Sequence, residues 1–445
     1  MKEIRLSLPL GEIAGRETSR CRQFLGVPYA KAGRFEYAVP VTHWEGTWDA
    51  AAFGDACPQN RAWHEHLEHP TRLFYKKEYR DGLDFTYSED CLNLNIYAPR
   101  EAEKAPVVIF IHGGGFDSGI NWESPFDGSA LAERGIVTVF INYRVGPLGY
   151  LTHPDIQKKY GRDGNFGLDD QLQAVRWVKA NIAAFGGDPE NITLAGQSAG
   201  AISIQYLCLN PANRGLFRRA WMMSGAGLFP KFALPKKAED THAYWDDFIH
   251  TAGCRSLDEL RDLDLDSLFD TVEAIRAKRK DSIYNTMPVV DGVLIPRPIG
   301  EMIRDPLPLS YALGYTNNDM YAPVMAFIGN RFARKNGAYV YYFDLDAPGD
   351  DNRAFHSSDL RYVFETLDTS WRPYGARDKE AAAQLAGYLA NFARTGDPNG
   401  EGLPRWEKAG RHTRVLHIAP GGTAMGKVSY LKLTKNFLTK GDPKV

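Results

Sequence analysis

The chain has no apolar run long enough to span a bilayer and no excess of charge of either sign. Its 445 residues carry 53 Lys and Arg against 55 Asp and Glu, a formal net charge of −2. A membrane-spanning helix needs about 20 mostly apolar residues in succession, and nucleic-acid binding usually shows as a strongly basic surface. The composition therefore predicts a protein that binds neither membrane nor nucleic acid.

Cysteine is also scarce. The five cysteines are Cys21, Cys57, Cys91, Cys208 and Cys254. An odd number at irregular spacing is no disulfide framework for a chain of this length.

Residues 1–6 alternate polar and apolar, and no apolar signal-peptide core follows them, which favours a first strand and a cytoplasmic location.

The apolar segments alternate between strand-like and helix-like patterns. The predicted buried strands are 106–111, 136–142, 192–195, 309–314 and 338–343. Helical spacing of apolar residues is found in 169–185 and 380–394. This alternation predicts an α/β fold with a mostly parallel central sheet flanked by helices. We interpret residues 1–445 as one domain, in which the charged, helical segment 231–287 is an insertion that contributes to a cap over the active site.

Residues 196–200 read G-Q-S-A-G and lie between an apolar strand and the apolar helical segment that begins at 201. In this context G-x-S-x-G is typical of a nucleophile elbow, where a sharp turn exposes the serine at the top of the sheet. Glycine on both sides lets strand and helix approach closely. The pattern alone is a weak signal, and Ser198 becomes a candidate nucleophile through the segments described next.

Residues 112–116 read H-G-G-G-F and directly follow a predicted buried strand. Consecutive glycines leave backbone N–H groups unobstructed, as an oxyanion hole requires. A phosphate-binding loop is the alternative, but the Lys-Ser/Thr pair of a P-loop is missing. An oxyanion loop is therefore the favoured interpretation.

A serine nucleophile needs a base and an acid that orients it. The histidines after the elbow are His242, His250, His356, His412 and His417. His356 is favoured because it follows a strand and a polar loop. Between Ser198 and His356, Asp319 lies after a predicted strand, the position of the acid in α/β hydrolases. Rival acids in the loop before His356 are Asp344, Asp346, Asp350 and Asp351.

Several longer segments resemble the type-B carboxylesterases, an α/β-hydrolase family. The segments are 24–30 (F-L-G-V-P-Y-A), 89–97 (E-D-C-L-N-L-N-I-Y), 164–171 (G-N-F-G-L-D-D-Q), 185–189 (F-G-G-D-P), 355–360 (F-H-S-S-D-L) and 396–399 (G-D-P-N). The resemblance implies an α/β-hydrolase fold and two-step acyl transfer on a small-molecule ester, with no cofactor and no metal. The implied nucleophile, base, acid and oxyanion-hole residues are Ser198, His356, Asp319, Gly114, Gly115 and Ala199.

The chain departs from the family pattern at informative positions. Gln197 stands where the family usually has Glu, which makes a cationic substrate less expected and favours neutral short- to medium-chain, aryl or alkyl esters. Asp319 stands where Glu is more common. Cys57 and Cys91 occupy the positions of a disulfide found in secreted members, which is not expected in a cytoplasmic protein.

Aromatic residues near these segments are candidates for a substrate pocket. With Gln197, the candidates are Phe116, Trp122, Phe229, Tyr321 and Phe327.

Residues 64–69 (H-E-H-L-E-H) do not have the spacing of a zinc motif and are interpreted as a solvated loop. An amidase, a lipase or a non-catalytic adhesion protein of the same fold are the alternative functions, and monomer or homo-oligomer is left open.

Overall fold

A computed structural model describes residues 2–60, 70–227, 234–319, 337–409 and 414–427. The strands are β1 (Lys2–Leu8), β2 (Gly11–Glu17), β3 (Arg22–Pro28), β4 (Ala30–Lys31), β5 (Val39–Pro40), β6 (Thr47–Asp49), β7 (Asn93–Ala98), β8 (Ala105–Ile111), β9 (Val137–Ile141), β10 (Gly187–Gln197), β11 (Arg219–Met223), β12 (Ser310–Thr316), β13 (Tyr339–Phe343), β14 (Arg414–Ala419) and β15 (Gly422–Lys427). The helices are α1 (Pro70–Tyr79), α2 (Ser129–Glu133), α3 (Gly146–Tyr150), α4 (Pro154–Tyr160), α5 (Phe166–Asn181), α6 (Ala199–Leu209), α7 (His242–Thr251), α8 (Leu257–Arg261), α9 (Leu265–Lys278), α10 (Ile299–Met302), α11 (Leu360–Val363) and α12 (Ala376–Thr395).

One large mixed sheet organises the fold. Its strand order is β1-β2-β3-β7-β9-β8-β10-β11-β12-β13-β14-β15, with β6 paired to β2. From β9 to β14 every neighbouring pair is parallel, whereas the pairs at the two edges are mostly antiparallel. The predicted α/β architecture with a mostly parallel central sheet is thus confirmed.

Strand β8 shows why the centre of the sheet is apolar throughout. Ile109 packs into the core layer that contains Leu172 of α5, while the next residue, Phe110, packs into the opposite layer with Leu389 of α12. Successive side chains of a strand point to opposite faces, so a strand covered by helices on both faces needs apolar residues at every position.

Most predicted elements are present with shifted ends. Strand β10 is longer than the predicted 192–195, and α5 starts at Phe166 and continues into a 3-10 turn, Ile182–Phe185. Strands β7 and β11 have no counterpart among the predicted strands, and neither do β2–β6, β14 and β15. In β7 the buried Asn93 and Asn95 interrupt the apolar pattern: Asn93 donates to the Asp55 carbonyl, and Asn95 accepts from the Gly26 N–H of β3.

The segment 231–287 is helical over its described part, with α7, α8, α9 and two 3-10 turns. Arg276 of α9 pairs with Asp117, two residues beyond the glycines that follow β8, at 2.7 Å. His242 at the start of α7 lies 2.6 Å from the buried Asp163. These contacts attach the insertion to loops of the main sheet.

The five cysteines are buried free thiols. A hydrogen bond with Cys57 and burial raise the pKa of the Cys91 thiol. In the described ranges, no helix has the length and hydropathy to cross a bilayer.

Helix α6 and strand β8 approach so closely that only glycine fits between them. A Cβ at Gly200 would overlap with the carbonyl oxygen of Ile111, and backbone cannot move aside as a flexible side chain can. We expect Gly200→Ala to lower the free energy of unfolding by about 3 kcal/mol, as measured by urea denaturation followed by circular dichroism. The control is Gly300→Ala in α10, where a Cβ meets open space. A Gly200→Ala protein as stable as this control would contradict the packing described.

Candidate active site

Ser198 occupies the sharp turn between β10 and α6. Its backbone has φ 54° and ψ −123°, a conformation that costs a non-glycine residue free energy and recurs at functional sites. The Ser198 N–H donates a 2.8 Å hydrogen bond to the Met223 carbonyl at the end of β11. The strained turn is therefore held by the neighbouring strand.

Glycines make this turn possible. A Cβ at Gly196 would lie 2.9 Å from the carbonyl carbon of Gly200, and one at Gly225 would overlap with the Ser198 carbonyl. The predicted strand, tight turn and helix are therefore present around Ser198.

The glycine loop after β8 lies directly against Ser198. A Cβ at Gly113 would be 2.9 Å from the Ser198 Cβ and from the Gln197 carbonyl oxygen, so the loop packs against the elbow there without room for a side chain. Gly114 and Gly115 have φ values of 110° and 66°. Within the described ranges, no acceptor is paired with the N–H groups of these two glycines. The Ala199 N–H begins α6, where no intrahelical acceptor exists.

His112 fixes the start of this loop, a role that sequence reasoning missed. Its ring is buried, stacks on Tyr143 at 4.3 Å between centroids, and places Nδ1 2.8 Å from the Gly113 carbonyl oxygen. Burial lowers the pKa of His112 to about 4, so the ring is neutral and Nδ1–H donates to that oxygen. The histidine immediately before the three glycines was the available signal.

His356 and Asp319 meet across two loops. His356 Nδ1 lies 3.1 Å from Asp319 Oδ1, and the Asp319 side chain is fully buried. The loops are joined by the Asn318 N–H, which donates to the Ala354 carbonyl at 2.8 Å. Burial lowers the pKa of His356, but the Asp319 carboxylate and its hydrogen bond outweigh this, so the pKa is raised above its usual value.

Gln197 contacts the other ring nitrogen of this histidine. Its Nε2 is 3.2 Å from His356 Nε2. With the His356 Nδ1–H donated to Asp319, Nε2 carries a lone pair that can accept from the Gln197 amide. Ser198 follows Gln197 in the chain, so this contact brings His356 to the elbow.

Three of the rival residues have other partners. His242 pairs with Asp163, and His250 Nδ1 lies 2.8 Å from the Asp246 carbonyl oxygen. Asp350 pairs with the buried Arg372 at 2.7 Å. His412 lies outside the described residues, as do residues 64–69.

The two aromatic pocket candidates that the structure describes pack against different neighbours. Phe116 is fully buried and packs edge-on against Tyr150 at 5.3 Å, within the core. Trp122 stacks on Phe53 at 4.7 Å and contacts Phe85 at 4.3 Å. The other three candidates, Phe229, Tyr321 and Phe327, lie outside the described residues.

This fold and this elbow define an α/β hydrolase, because a mostly parallel sheet presents a serine at the turn into a helix. The chain belongs to the carboxylesterase family, whose model matches residues 2–325 and 319–436. It is accordingly a carboxylic ester hydrolase.

Characterised relatives agree with this assignment. The chain is 30% identical to a para-nitrobenzyl esterase of Bacillus subtilis, over 91% of this chain and 93% of the relative. It is 31% identical to the carboxylesterase 5A of Canis lupus familiaris, over 93% and 85% of the two chains. A solved PNB esterase structure superposes with a TM-score of 0.82 at 25% identity, covering 97% of this chain and 99% of that one.

The contact between His356 and Asp319 has a measurable electrostatic consequence. We expect Asp319→Asn to lower the pKa of His356 by about one unit or more, because a neighbouring carboxylate stabilises the charged ring. Titration of the imidazole signals by NMR would measure the shift. The matched control is Asp344→Asn, an acid near the same sheet edge, which should leave the pKa of His356 in place. A larger shift in the control than in Asp319→Asn would reassign the partner of His356.

Proposed function

We propose that the chain hydrolyses esters with Ser198 as nucleophile, His356 as general base and Asp319 as the acid that orients the imidazole. The observation that carries this proposal is the strained serine turn, with the glycine loop on one side and the His356–Asp319 pair reached through Gln197 on the other.

In the first half-reaction the Ser198 hydroxyl oxygen attacks the ester carbonyl carbon while His356 Nε2 takes the hydroxyl proton. The Ser198 proton replaces the Gln197 amide at Nε2 in this step. The imidazolium that forms is stabilised by the buried Asp319 carboxylate. His356 then gives the proton to the leaving alkoxide, and water attacks the acyl-enzyme by the same route.

The charge that develops on the carbonyl oxygen needs fixed donors. We assign this role to the N–H groups of Gly114, Gly115 and Ala199, because none of them has an acceptor in the described part of the chain. Ala199 follows Ser198, and Gly113 of the glycine loop packs against Ser198. Loss of one such donor typically raises the barrier by about 3 kcal/mol. His112 holds the loop that carries two of them.

The substrate class follows from the charge of the site. Gln197 is neutral, precedes Ser198 in the chain and contacts His356, so the residue next to the nucleophile carries no carboxylate. This favours neutral short- to medium-chain, aryl or alkyl esters over cationic ones. The insertion 231–287 is proposed to form part of the cap, supported by the ion pair of Arg276 with Asp117 beside the glycine loop.

Labelling with a fluorophosphonate probe tests the role of Ser198. We expect one labelled serine in the folded protein, and we expect Ser198→Ala to abolish labelling and lower kcat on p-nitrophenyl acetate by several orders of magnitude. His356→Ala should lower kcat similarly. The control is Ser203→Ala in α6, whose buried hydroxyl has no hydrogen-bond partner among the described residues and should be dispensable. A folded wild-type protein that resists the probe would overturn the proposal.

The charge argument about Gln197 is tested with two isosteric esters, acetylcholine and 3,3-dimethylbutyl acetate. We expect Gln197→Glu to raise the ratio of their kcat/KM values in favour of the cation by about tenfold, because a charge a few ångströms away interacts with it favourably. Gln384→Glu in α12 makes the same change beside β15 and should leave the ratio unaltered. An unchanged ratio in Gln197→Glu would show that the position does not select substrate charge.

A further inference from the structure

A second buried carboxylate lies in the same chain segment as His356. Asp359 lies three residues further along the chain, and its side chain has no exposed surface. Oδ2 accepts a 2.6 Å hydrogen bond from the Tyr341 hydroxyl, whereas Oδ1 is buried and has no partner among the described residues. A buried carboxylate with a free oxygen costs stability unless the surroundings use its charge.

The donor to Asp359 is built into the sheet. Tyr341 belongs to β13 and is fully buried, and its ring lies across Gly314 of β12, where a Cβ would overlap with the phenol ring. Trp221 and Trp406 flank the same ring at 5.9 Å between centroids. The hydroxyl of Tyr341 is thereby held in one place, and it points at Asp359.

Three titratable groups face Asp359 from the elements around it: Tyr341 from β13, Asp319 from the loop after β12, and His356 from its own loop. The pKa of Asp359 is raised to about 6, because burial and the charge of Asp319 together outweigh the Tyr341 hydrogen bond and His356, which lower it. At neutral pH the carboxyl is therefore mostly ionised. In return, its charge raises the pKa of His356.

We propose that Asp359, held by Tyr341, is a positioning residue that acts through His356: its charge adds to that of Asp319 in stabilising the imidazolium formed when Ser198 loses its proton. The inference rests on the proposed roles of Ser198 and His356. A purely structural Asp359 would influence stability but not the titration of the reaction.

Two near-isosteric variants test the proposal in opposite directions. Asp359→Asn removes the charge, so the pKa of His356 falls and the acid limb of the kcat/KM profile for p-nitrophenyl acetate moves to lower pH. The imidazolium is then less stabilised, and we expect kcat on the plateau to drop about tenfold, as for one pKa unit of interaction, with KM little changed.

Tyr341→Phe keeps the carboxyl group and removes its donor. The pKa of Asp359 then rises, so the active form, with neutral His356 and ionised Asp359, is reached only at higher pH. The acid limb of the kcat/KM profile therefore moves to higher pH, while kcat on the plateau stays at the wild-type value. Thermal unfolding of both variants accompanies the kinetics, and Tyr341→Phe alone decides the question if Asp359→Asn does not fold.

If the acid limbs of the folded variants coincide with that of the wild type, the inference is overturned, even if both variants unfold at lower temperature. Limbs that move in the same direction would overturn it as well. A wild-type protein without turnover or fluorophosphonate labelling would instead reject the proposed function itself, so the two failures are distinguishable.

Discussion

The close approach of α6 to β8 and β10 is the constraint on which the rest of the site depends. Gly196, Gly200 and Gly225 remove the side chains that would separate these backbones. The approach forces Ser198 into its strained conformation and presses the Gly113 loop against the serine. The same contact therefore sets the position of the hydroxyl and of the N–H groups around it. Backbone atoms make these contacts, and they cannot rotate aside as a flexible side chain can.

The residues of the candidate site lie at one edge of the sheet because the strands that precede them in the chain are parallel. Strands β8 and β10 are neighbours, as are β12 and β13, and β11 lies between the two pairs. The segments that follow these four strands carry the glycine loop, Ser198, Asp319 and His356. An open parallel sheet collects functional residues at the carboxyl ends of its strands. The strand order thus brings together residues that are more than a hundred positions apart in the sequence.

The sequence predicted the parallel core and the position of the elbow, because continuous apolar strands and the glycine spacing are local signals. It also placed Asp319 and His356 together by their order along the chain. It did not predict β7, where buried asparagines break the apolar pattern, or Asp359, since nothing local distinguishes a buried carboxylate from a solvated one. Contacts such as that of Gln197 with His356 depend on how loops meet in three dimensions, so no periodic pattern in the sequence predicts them.

The loop that carries His356 is supported from outside the sheet by α1. The Tyr79 hydroxyl lies 2.8 Å from Ser357 Oγ, and Ser357 has a positive φ of 75°. Arg361 reaches Ser124 at 2.7 Å and anchors the helix that follows. A strained residue next to the histidine persists only where its surroundings over-determine it. His356 is therefore held in two ways: Asp319 orients the ring, and α1 supports the adjoining backbone through Ser357.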